Sequence, residues 1–336
     1  MKVLVTGGCG YIGSHTCVEL LENGYDVIVI DNLSNSKKDV IDKIEKITDK
    51  KIAFYEGNVQ DKILLEKIFS GNAIEAVIHF AGYKAVGESV NKPLMYYRNN
   101  IDSTLTLLET MNKYNVKNLV FSSSATVYGT PKSLPIKEDF EVGHATNPYG
   151  ETKIMIENIL KDVYISDHDW NIAVLRYFNP IGAHKSGLIG ENPNGIPNNL
   201  MPYIVKVATH ELKELSIFGD DYDTKDGTGV RDYIHVVDLA KGHIKALEWV
   251  FKDNGIDYFN LGTGNGYSVL ELVNAFKKYN NVDVPYKIVS RREGDIASCY
   301  ADANYAKEKL GWSCIYGIED MVKDSYNFIN IKKSLD

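Results

Sequence analysis

The chain has 336 residues, of which 44% are hydrophobic and 24% charged, and its formal net charge is −8. This length suffices for two units with cores of their own, and the composition predicts no long disordered stretch. The negative charge argues against nonspecific binding to nucleic acid. An anionic ligand would therefore need local cations, for which Arg231, Arg291 and Arg292 are candidates.

Membrane and secreted classes are not favoured either. No apolar run approaches the roughly 20 residues of a membrane span, and the first residues lead directly into a predicted strand rather than a signal peptide. Cys9, Cys17, Cys299 and Cys314 have the spacing of neither metal ligands nor a disulfide framework. We therefore expect a cytoplasmic protein without a membrane partner or a bound metal.

The first strand and the loop after it form the most informative segment. The apolar run Val3–Val5 leads into Gly7, Gly10 and Gly13, after which apolar residues recur at helical spacing. Gly7 would allow a tight turn, Gly10 would let the backbone approach a pyrophosphate, and Gly13 would let helix and strand pack closely. The spacing is Gly-x-x-Gly-x-x-Gly, and alone it is also typical of a simple turn.

The second predicted strand, Tyr25–Ile30, ends in Asp31. A carboxylate at this point can accept hydrogen bonds from both ribose hydroxyls of an adenosine, and it would repel a 2′-phosphate. The strand, the glycines and the carboxylate together predict NAD rather than NADP as the cofactor. An aspartate that only caps a loop is the alternative.

The following elements alternate between strand and helix. In chain order they are a charged helix after the polar 32–38 connection, a strand near Ile52–Tyr55, a helix at about Lys62–Phe69, a strand at Ala76–Phe80, a long helix at about Leu94–Tyr114, and strands at Asn118–Phe121 and Ile172–Tyr177. This alternation predicts a doubly wound (Rossmann) α/β fold, with helices on both faces of a parallel sheet. Ligands bind beyond the carboxyl ends of such strands, where Asn58, Phe80, Ser124 and Phe178 fall.

The pattern changes after Pro180, where Gly and Pro are enriched over 182–202 and the helices become shorter. We expect residues 1–180 to form an NAD-binding domain and residues 181–336 a smaller mixed α/β domain for substrate. A helix at about Val237–Phe251 and a strand at Asp257–Leu261 predict a return to the first domain around 233–262.

Ser124, Tyr149 and Lys153 are the predicted catalytic residues. Asn147 is a good N-cap and Pro148 suits the first helical position, so Tyr149 and Lys153 would lie one turn apart on one helix face. The ammonium and the helix dipole would both favour the phenolate form of a tyrosine whose reference pKa is about 10. Ser124 could hold a substrate oxygen and Lys153 the nicotinamide ribose. Tyr-x-x-x-Lys on its own is more typical of an exposed helix face.

The chain resembles the extended short-chain dehydrogenase/reductase family over nearly its whole length. The motifs that carry the resemblance are Thr6–Gly13, His79–Gly82, Lys84–Ser89, Ser122–Gly129, Pro148–Gly150 with Lys153, Leu175–Pro180, Pro197–Tyr203, Gly227–His235 and Arg291–Asp295. The early motifs indicate only the family. Pro197–Tyr203 and Gly229–His235 are similar to the members that invert C4 of UDP-hexoses.

The resemblance implies which residues surround each ligand. With the glycine loop and the catalytic pair, the cofactor set is Gly7, Gly10, Tyr11, Ile12, Gly13, Asp31, Asn32, Asn58, Val59, Phe80, Ala81, Lys84, Asn99, Tyr149, Lys153 and Phe178. The set for the UDP-sugar is Ser124, Asn179, Asn199, Leu200, Arg231, Arg292, Asp295 and Cys299. Guanidinium groups suit a diphosphate and asparagines suit hydroxyls, although Asn199 could hold a loop and Arg292 could be a solvated charge.

The resemblance also implies an isomerase that interconverts UDP-galactose and UDP-glucose with tightly bound NAD. The Tyr149 phenolate would take the proton of the 4-hydroxyl while hydride passes from C4 to NAD. The transient 4-keto sugar would then turn and be reduced on its other face.

Two positions depart from the family pattern. Asn58 stands where many relatives carry Asp, but its amide oxygen can still accept a hydrogen bond from an adenine amino group. Cys299 stands where several bacterial relatives carry tyrosine, which predicts room for UDP-GlcNAc and UDP-GalNAc. The alternative is that Cys299 is only a small buried residue and that other side chains close the space.

Three other functions compete with this one. A nucleotide-sugar 4,6-dehydratase would need an Asp and a Glu where Ala125 and Thr126 stand. A noncatalytic NAD-binding regulator would have little reason to keep the catalytic residues together, and an ordinary dehydrogenase would accumulate NADH. The family further implies a homodimer formed through the helices at Leu94–Tyr114 and Tyr149–Tyr164.

Overall fold

The structure is a computed structural model that describes residues 1–143, 145–194, 197, 199–252, 255–292 and 295–335. The first half of the chain alternates strands and helices. Its elements are β1 (Lys2–Thr6), α1 (Tyr11–Glu22), β2 (Asp26–Asp31), α2 (Asp39–Thr48), β3 (Ala53–Glu56), α3 (Lys62–Gly71), β4 (Ile74–His79), α4 (Val86–Asn91), α5 (Pro93–Lys113), β5 (Asn118–Ser124), α6 (Pro148–Ser166), β6 (Asn171–Tyr177) and β7 (Asn179–Ile181).

The second half has shorter and more mixed elements. They are α7 (Leu200–Ala208), β8 (Leu215–Phe218), β9 (Val230–Arg231), β10 (Tyr233–His235), α8 (Val236–Val250), β11 (Gly255–Leu261), β12 (Tyr267–Ser268), α9 (Val269–Asn280), β13 (Tyr286–Val289), β14 (Ser298–Cys299), α10 (Asn304–Leu310) and α11 (Ile318–Leu335). Parts of the predicted segments lie outside the described residues: Gly195, Ile196, Asn198, Asp253, Asn254, Glu293 and Gly294.

Among the described residues, seven parallel strands form the main sheet in the order β11-β6-β5-β4-β1-β2-β3. Successive side chains of a strand point to opposite faces, so Val3 and Val5 enter one apolar core and Leu4 the other. Helices α1 and α8 cover the first face, and α3, α5 and α6 cover the second. The predicted doubly wound α/β fold is confirmed. None of the described helices has the length and apolarity that a membrane crossing needs.

Strand β5 is longer than the sequence predicts. The strand continues through the three serines to Ser124, because Ser122, Ser123 and Ser124 remain paired with Leu175–Tyr177 of β6. Ser124 is therefore held by the sheet, and the tight turn Ala125–Tyr128 follows it at once.

The second half packs around its own apolar core, which α7, α9 and α11 share. A small sheet in the order β12-β9-β14 sets Cys299 in register with Arg231. The side chain of Asp232, which directly follows β9, connects this sheet to the loop after β11 and to Ala301. Its buried carboxylate accepts hydrogen bonds from the Thr263 amide at 2.8 Å and hydroxyl at 2.6 Å, and from the Gly264 and Ala301 amides at 3.1 Å each.

His79 is an example of a histidine that is buried without charge. Its Nδ1 lies 2.7 Å from the Thr6 hydroxyl and its Nε2 lies 3.1 Å from the Thr104 hydroxyl, so the ring connects β4 to β1 and α5. Burial, reinforced by the nearby Lys153 ammonium, lowers the pKa of His79 from 6.5 to about 3. Burial similarly lowers the pKa of His243 to about 4.

These depressed pKa values predict acid sensitivity. Between pH 6.5 and about 3 the unfolded chain carries a proton on His79 that the folded chain lacks, so the free energy of unfolding should fall as the pH falls through this window. Each such histidine contributes up to about 1.4 kcal/mol per pH unit. Urea unfolding at pH 7, 6 and 5 measures the slope, which should be smaller in His79→Gln. An equal change of unfolding free energy with pH in wild type and His79→Gln would show that His79 does not cause the acid sensitivity.

Candidate functional site

A cavity of about 1200 Å³ lies along the carboxyl ends of the main-sheet strands and is bounded by the second half of the chain. Every residue of the predicted cofactor, substrate and catalytic sets lines this cavity, from Gly7 to Cys299. Arg291, the third candidate cation for an anionic ligand, is not among the lining residues and pairs with Asp221 at 2.6 Å. The parallel sheet brings the strand ends to one edge, and the β12-β9-β14 sheet brings Arg231 and Cys299 opposite them.

The glycine turn after β1 has the geometry of an anion cradle. Gly7 has φ +72°, and a Cβ at position 13 would lie only 2.3 Å from the Gly7 carbonyl oxygen, so a larger residue there would separate helix from strand. Gly10 stands at the N-cap of α1 without a side chain to accept from the first amides. Those amides and the helix dipole are thus available to a pyrophosphate. The residues present fit a dinucleotide.

Asp31 organises the adenosine end of the cavity. Its carboxylate accepts from the Cys9 amide at 3.0 Å, the Leu33 amide at 2.8 Å and the Ser36 hydroxyl at 2.9 Å. The carboxylate therefore ties the glycine turn to the loop after β2 and also places a negative charge at the cavity wall. Asn58 lies close by.

The amide oxygen of Asn58, which was expected to accept from an adenine, accepts from Asn32 Nδ2 at 2.6 Å. An oxygen with two lone pairs can take a second donor. The structure thus places both predicted residues at the same wall of the cavity.

Glu191 is a cavity residue that the sequence does not reveal, because no spacing marks it. Its carboxylate lies 3.7 Å from Lys84 Nζ and accepts from Asn199 Nδ2 at 2.5 Å. Burial raises the pKa of Glu191. Three residues later, the Asn194 amide donates to Asn35 Oδ1 at 3.0 Å. The segment 191–194 thus crosses from the second half of the chain to the cofactor loop.

The start of α6 positions the predicted catalytic pair. The side chain of Asn147 accepts from the Gly150 amide at 2.9 Å and Pro148 occupies the first turn, which confirms the predicted helix start. Lys153 Nζ lies 5.9 Å from the centre of the Tyr149 ring and donates to the Ser122 carbonyl at 2.7 Å. The helix start and β5 together bring Tyr149, Lys153 and Ser124 to one place.

The electrostatics of this pair differ from the expectation. Burial raises the pKa of Tyr149, and the group that opposes it is the Ser124 hydroxyl through a hydrogen bond, rather than the Lys153 ammonium. Burial lowers the pKa of Lys153 to about 8, although the Glu157 carboxylate acts in the other direction. The ammonium is held by the Ser122 carbonyl. Desolvation of the site therefore outweighs the charge effect that the sequence suggested.

The opposite end of the cavity is cationic. Arg231 donates to the Val230 carbonyl at 2.8 Å, and this acceptor carries no charge. Arg292 forms an ion pair with Asp295 at 3.0 Å and lies over the Phe218 ring at 4.8 Å. The guanidinium groups can take a diphosphate and the Asp295 carboxylate a hydroxyl.

Ser216 and Phe218 also line this end, although no sequence motif marks them. They belong to β8, which has only four residues, Leu215–Phe218. A run this short gives little periodic signal, although Gly219 directly after it marks a strand end.

The fold and the site define a class of protein. A model of the NAD dependent epimerase/dehydratase family matches residues 3–262, and the chain belongs to this family. The chain is 60% identical over 328 residues to the UDP-glucose 4-epimerase of Bacillus subtilis, covering 98% of this chain and 96% of the relative.

Solved structures are also similar over almost the whole chain. The UDP-glucose 4-epimerase of Bifidobacterium longum, in complex with NAD⁺ and UDP, has a TM-score of 0.96 and 56% identity over 99% of each chain. The UDP-glucose 4-epimerase of Stenotrophomonas maltophila, with bound NAD and formylated UDP-arabinopyranose, has a TM-score of 0.98 and 47% identity over 100% of each chain.

The site generates a direct prediction for Tyr149. Tyr149→Phe removes the hydroxyl that meets Ser124 but keeps the buried ring, so the protein should fold and retain its cofactor while turnover falls about 10²- to 10⁴-fold. Steady-state kinetics measure the loss. Tyr114→Phe is the matched control, since that hydroxyl donates to the Glu66 carbonyl outside the cavity. Near-normal turnover of Tyr149→Phe would show that Tyr149 is not the catalytic acid and base.

Proposed function

We propose that this chain is a UDP-glucose 4-epimerase, an NAD-dependent isomerase that interconverts UDP-galactose and UDP-glucose by inversion at C4. The observation that carries the proposal is that one cavity combines all parts of the predicted site. It holds an anion cradle with Asp31 at one end, Tyr149 with Lys153 in the middle, and Arg231 at the other end. Relatives with this activity are similar over almost the whole chain.

The chain's own residues perform the acid and base steps. NAD, when bound, supplies a reversible acceptor for the hydride of sugar C4, which gives a transient 4-keto sugar. Tyr149 takes the proton of the 4-hydroxyl and later returns it. Ser124, which bonds to the Tyr149 hydroxyl, favours its ionised form. Lys153 adds a cation at the base of the site, where the Ser122 carbonyl fixes it.

The remaining residues hold the substrate by its nucleotide. Arg231 and Arg292 attract the diphosphate, and Asn179, Asn199 and Leu200 line the same cavity. Anchoring the nucleotide leaves the hexose free to turn, so that either face of C4 can meet the same cofactor. This requires a roomy sugar site, which the cavity provides.

The dehydratase alternative is weakened by the turn after Ser124. The elimination of water needs a carboxylic acid and a carboxylate, and the turn presents Ala125 and Thr126 instead. Ala125 is buried in an apolar cluster with Phe178.

The decisive assay supplies UDP-galactose to the purified protein without added NAD and measures UDP-glucose. Formation of UDP-glucose to equilibrium supports the proposal. A 4-keto-6-deoxy product would indicate a dehydratase, net NADH an ordinary dehydrogenase, and absence of turnover an NAD-binding regulator.

We assign NAD binding to residues 1–180 and UDP-sugar binding to residues 181–336. The strand β11 belongs to the second range but pairs with β6 of the main sheet. A cytoplasmic location is part of the proposal. It is supported by the four thiols, which are all free.

Asp31 should decide the choice of cofactor. Asp31→Ala removes the charge that would repel a 2′-phosphate, so NAD should bind more weakly and NADP should gain activity in apoprotein reconstitution. Ser36→Ala is the control, because it removes one donor to the carboxylate but keeps the charge. It should still reject NADP. Equal use of both cofactors by the wild-type apoprotein would refute the assignment.

Cys299 should set the substrate range. The thiol lines the cavity and packs against the cluster of Ala125 and Phe178. Burial raises its pKa to about 11, so it is an uncharged and small group. We expect turnover of UDP-GalNAc as well as UDP-galactose, because a C2 acetamido group needs this room.

Cys299→Tyr should abolish turnover of the N-acetyl pair and largely spare the unsubstituted pair. Cys299→Ser, which keeps the space, should retain both. The measurement is kcat/KM for each UDP-sugar. Equal kcat/KM for UDP-GalNAc in wild type and Cys299→Tyr would show that this position is not the gate.

We further propose a homodimer through α5 and α6. These neighbouring helices expose Leu105 and Met155 by 41% and 40%, although each helix already buries another face in the core. A dimer mass is expected from light scattering at micromolar concentration. Leu105→Glu with Met155→Glu should give monomers, whereas Ile63→Glu on α3, a site already 84% exposed, should not. A monomeric wild type would refute the proposal.

A further inference from the structure

A buried ion pair between Arg176 and Glu157 lies beside the predicted catalytic residues and has no role in the proposed acid and base steps. Arg176 Nη2 lies 2.6 Å from Glu157 Oε2, and Arg176 Nε donates to Glu157 Oε1 at 3.1 Å. Their side chains are only 5% and 4% exposed. Two apolar residues of similar volume would often be as stable or more stable at such a place. Stability alone is therefore a weak reason for the pair.

The position of Glu157 connects the pair to the site. Tyr149, Lys153 and Glu157 follow one another at intervals of four residues on α6, so they share one face of the helix. The Ser123 hydroxyl donates to Glu157 Oε1 at 2.6 Å. Ser123 directly precedes Ser124 on β5. The carboxylate therefore joins the helix that carries Lys153 to the strand that carries Ser124.

Arg176 extends the same network to the other side of Ser124. Its Nη1 donates to the Tyr128 hydroxyl at 3.0 Å and to the Glu138 carbonyl at 3.1 Å. The rings of Tyr128 and Tyr258 flank the guanidinium at 5.0 and 4.6 Å. Tyr128 ends the turn that follows Ser124. The network thus holds the chain both before and after Ser124.

The charge of Glu157 also reaches Lys153. Burial lowers the pKa of Lys153, and the Glu157 carboxylate one turn away raises it. The titratable groups that face the ion pair are Tyr128, Glu138 and Tyr258. Tyr149 shares the helix of Lys153, burial and the Lys153 ammonium lower the pKa of His79 on β4, and burial and Tyr149 raise that of Tyr177 on β6.

We propose that Glu157 is a positioning residue for the epimerase reaction, which through Ser123 and Arg176 fixes the placement of Ser124 and Lys153 against Tyr149. The assignment rests on the proposed function. It predicts a loss in kcat and little change in KM. The proposed contacts with the nucleotide, such as Arg231, do not belong to the network of Glu157 and Arg176.

The main test replaces both members of the ion pair, Glu157→Leu with Arg176→Met, so that neither member is left charged without the other. The NAD-loaded variant should lose at least about tenfold in kcat, since a displacement of about 1 Å can cost 10²-fold. Its KM for UDP-galactose should stay within about twofold of wild type, a split that a general loss of folded protein would not produce. Thermal unfolding of the same samples monitors the fold.

Ser123→Ala tests the link without touching the ion pair, and should lower kcat about three- to tenfold. Glu138→Gln is the control. Its Oε1 accepts from the Asn260 amide at 2.8 Å at the edge of the network, away from α6, so kcat should remain within about twofold of wild type even if the melting temperature falls.

Wild-type kcat in Ser123→Ala together with wild-type kcat in the double variant would overturn the assignment. So would an equal loss of kcat in Glu138→Gln, because the effect would then follow stability rather than position. If the double variant fails to fold, Ser123→Ala decides by itself. Absence of epimerase turnover in wild type would overturn the proposed function instead.

Discussion

The contact between helix α6 and strand β5 is the constraint on which the site depends. Lys153 is buried there, and its ammonium is satisfied by the Ser122 carbonyl at 2.7 Å. A buried charge without such a partner would be very costly. Because Tyr149 lies on the same helix face and Ser124 ends the same strand, this one contact sets the geometry of all three groups.

Burial opposes the charged forms of both Tyr149 and Lys153. The same desolvation that raises the pKa of Tyr149 lowers that of Lys153 to about 8. Each group is thereby pushed toward its neutral form, and specific neighbours favour the charged forms. Ser124 does so for the phenol through a hydrogen bond, and Glu157 does so for the ammonium through its negative charge. The Glu157 carboxylate behind the site thus opposes the effect of burial on the pKa of Lys153.

The two halves of the chain are joined where the ligands would lie. Asp232 ties β9 to the loop after β11, and Glu191 faces both Lys84 and Asn199. Glu191 therefore belongs both to the cofactor side of the cavity and to its substrate side. A cavity of this kind suits an enzyme that keeps its cofactor while the sugar turns.

The sequence by itself determined the elements whose signals are local. The glycine spacing, Asp31 at a strand end and the helix start at Asn147 all predict their structure, because turn sterics and capping depend on neighbouring residues. The sequence could not place Glu191 or join Glu157 to Arg176, since such contacts unite distant segments. It also overestimated the effect of Lys153 on Tyr149. Desolvation depends on everything packed around a group, and only the tertiary structure decided it.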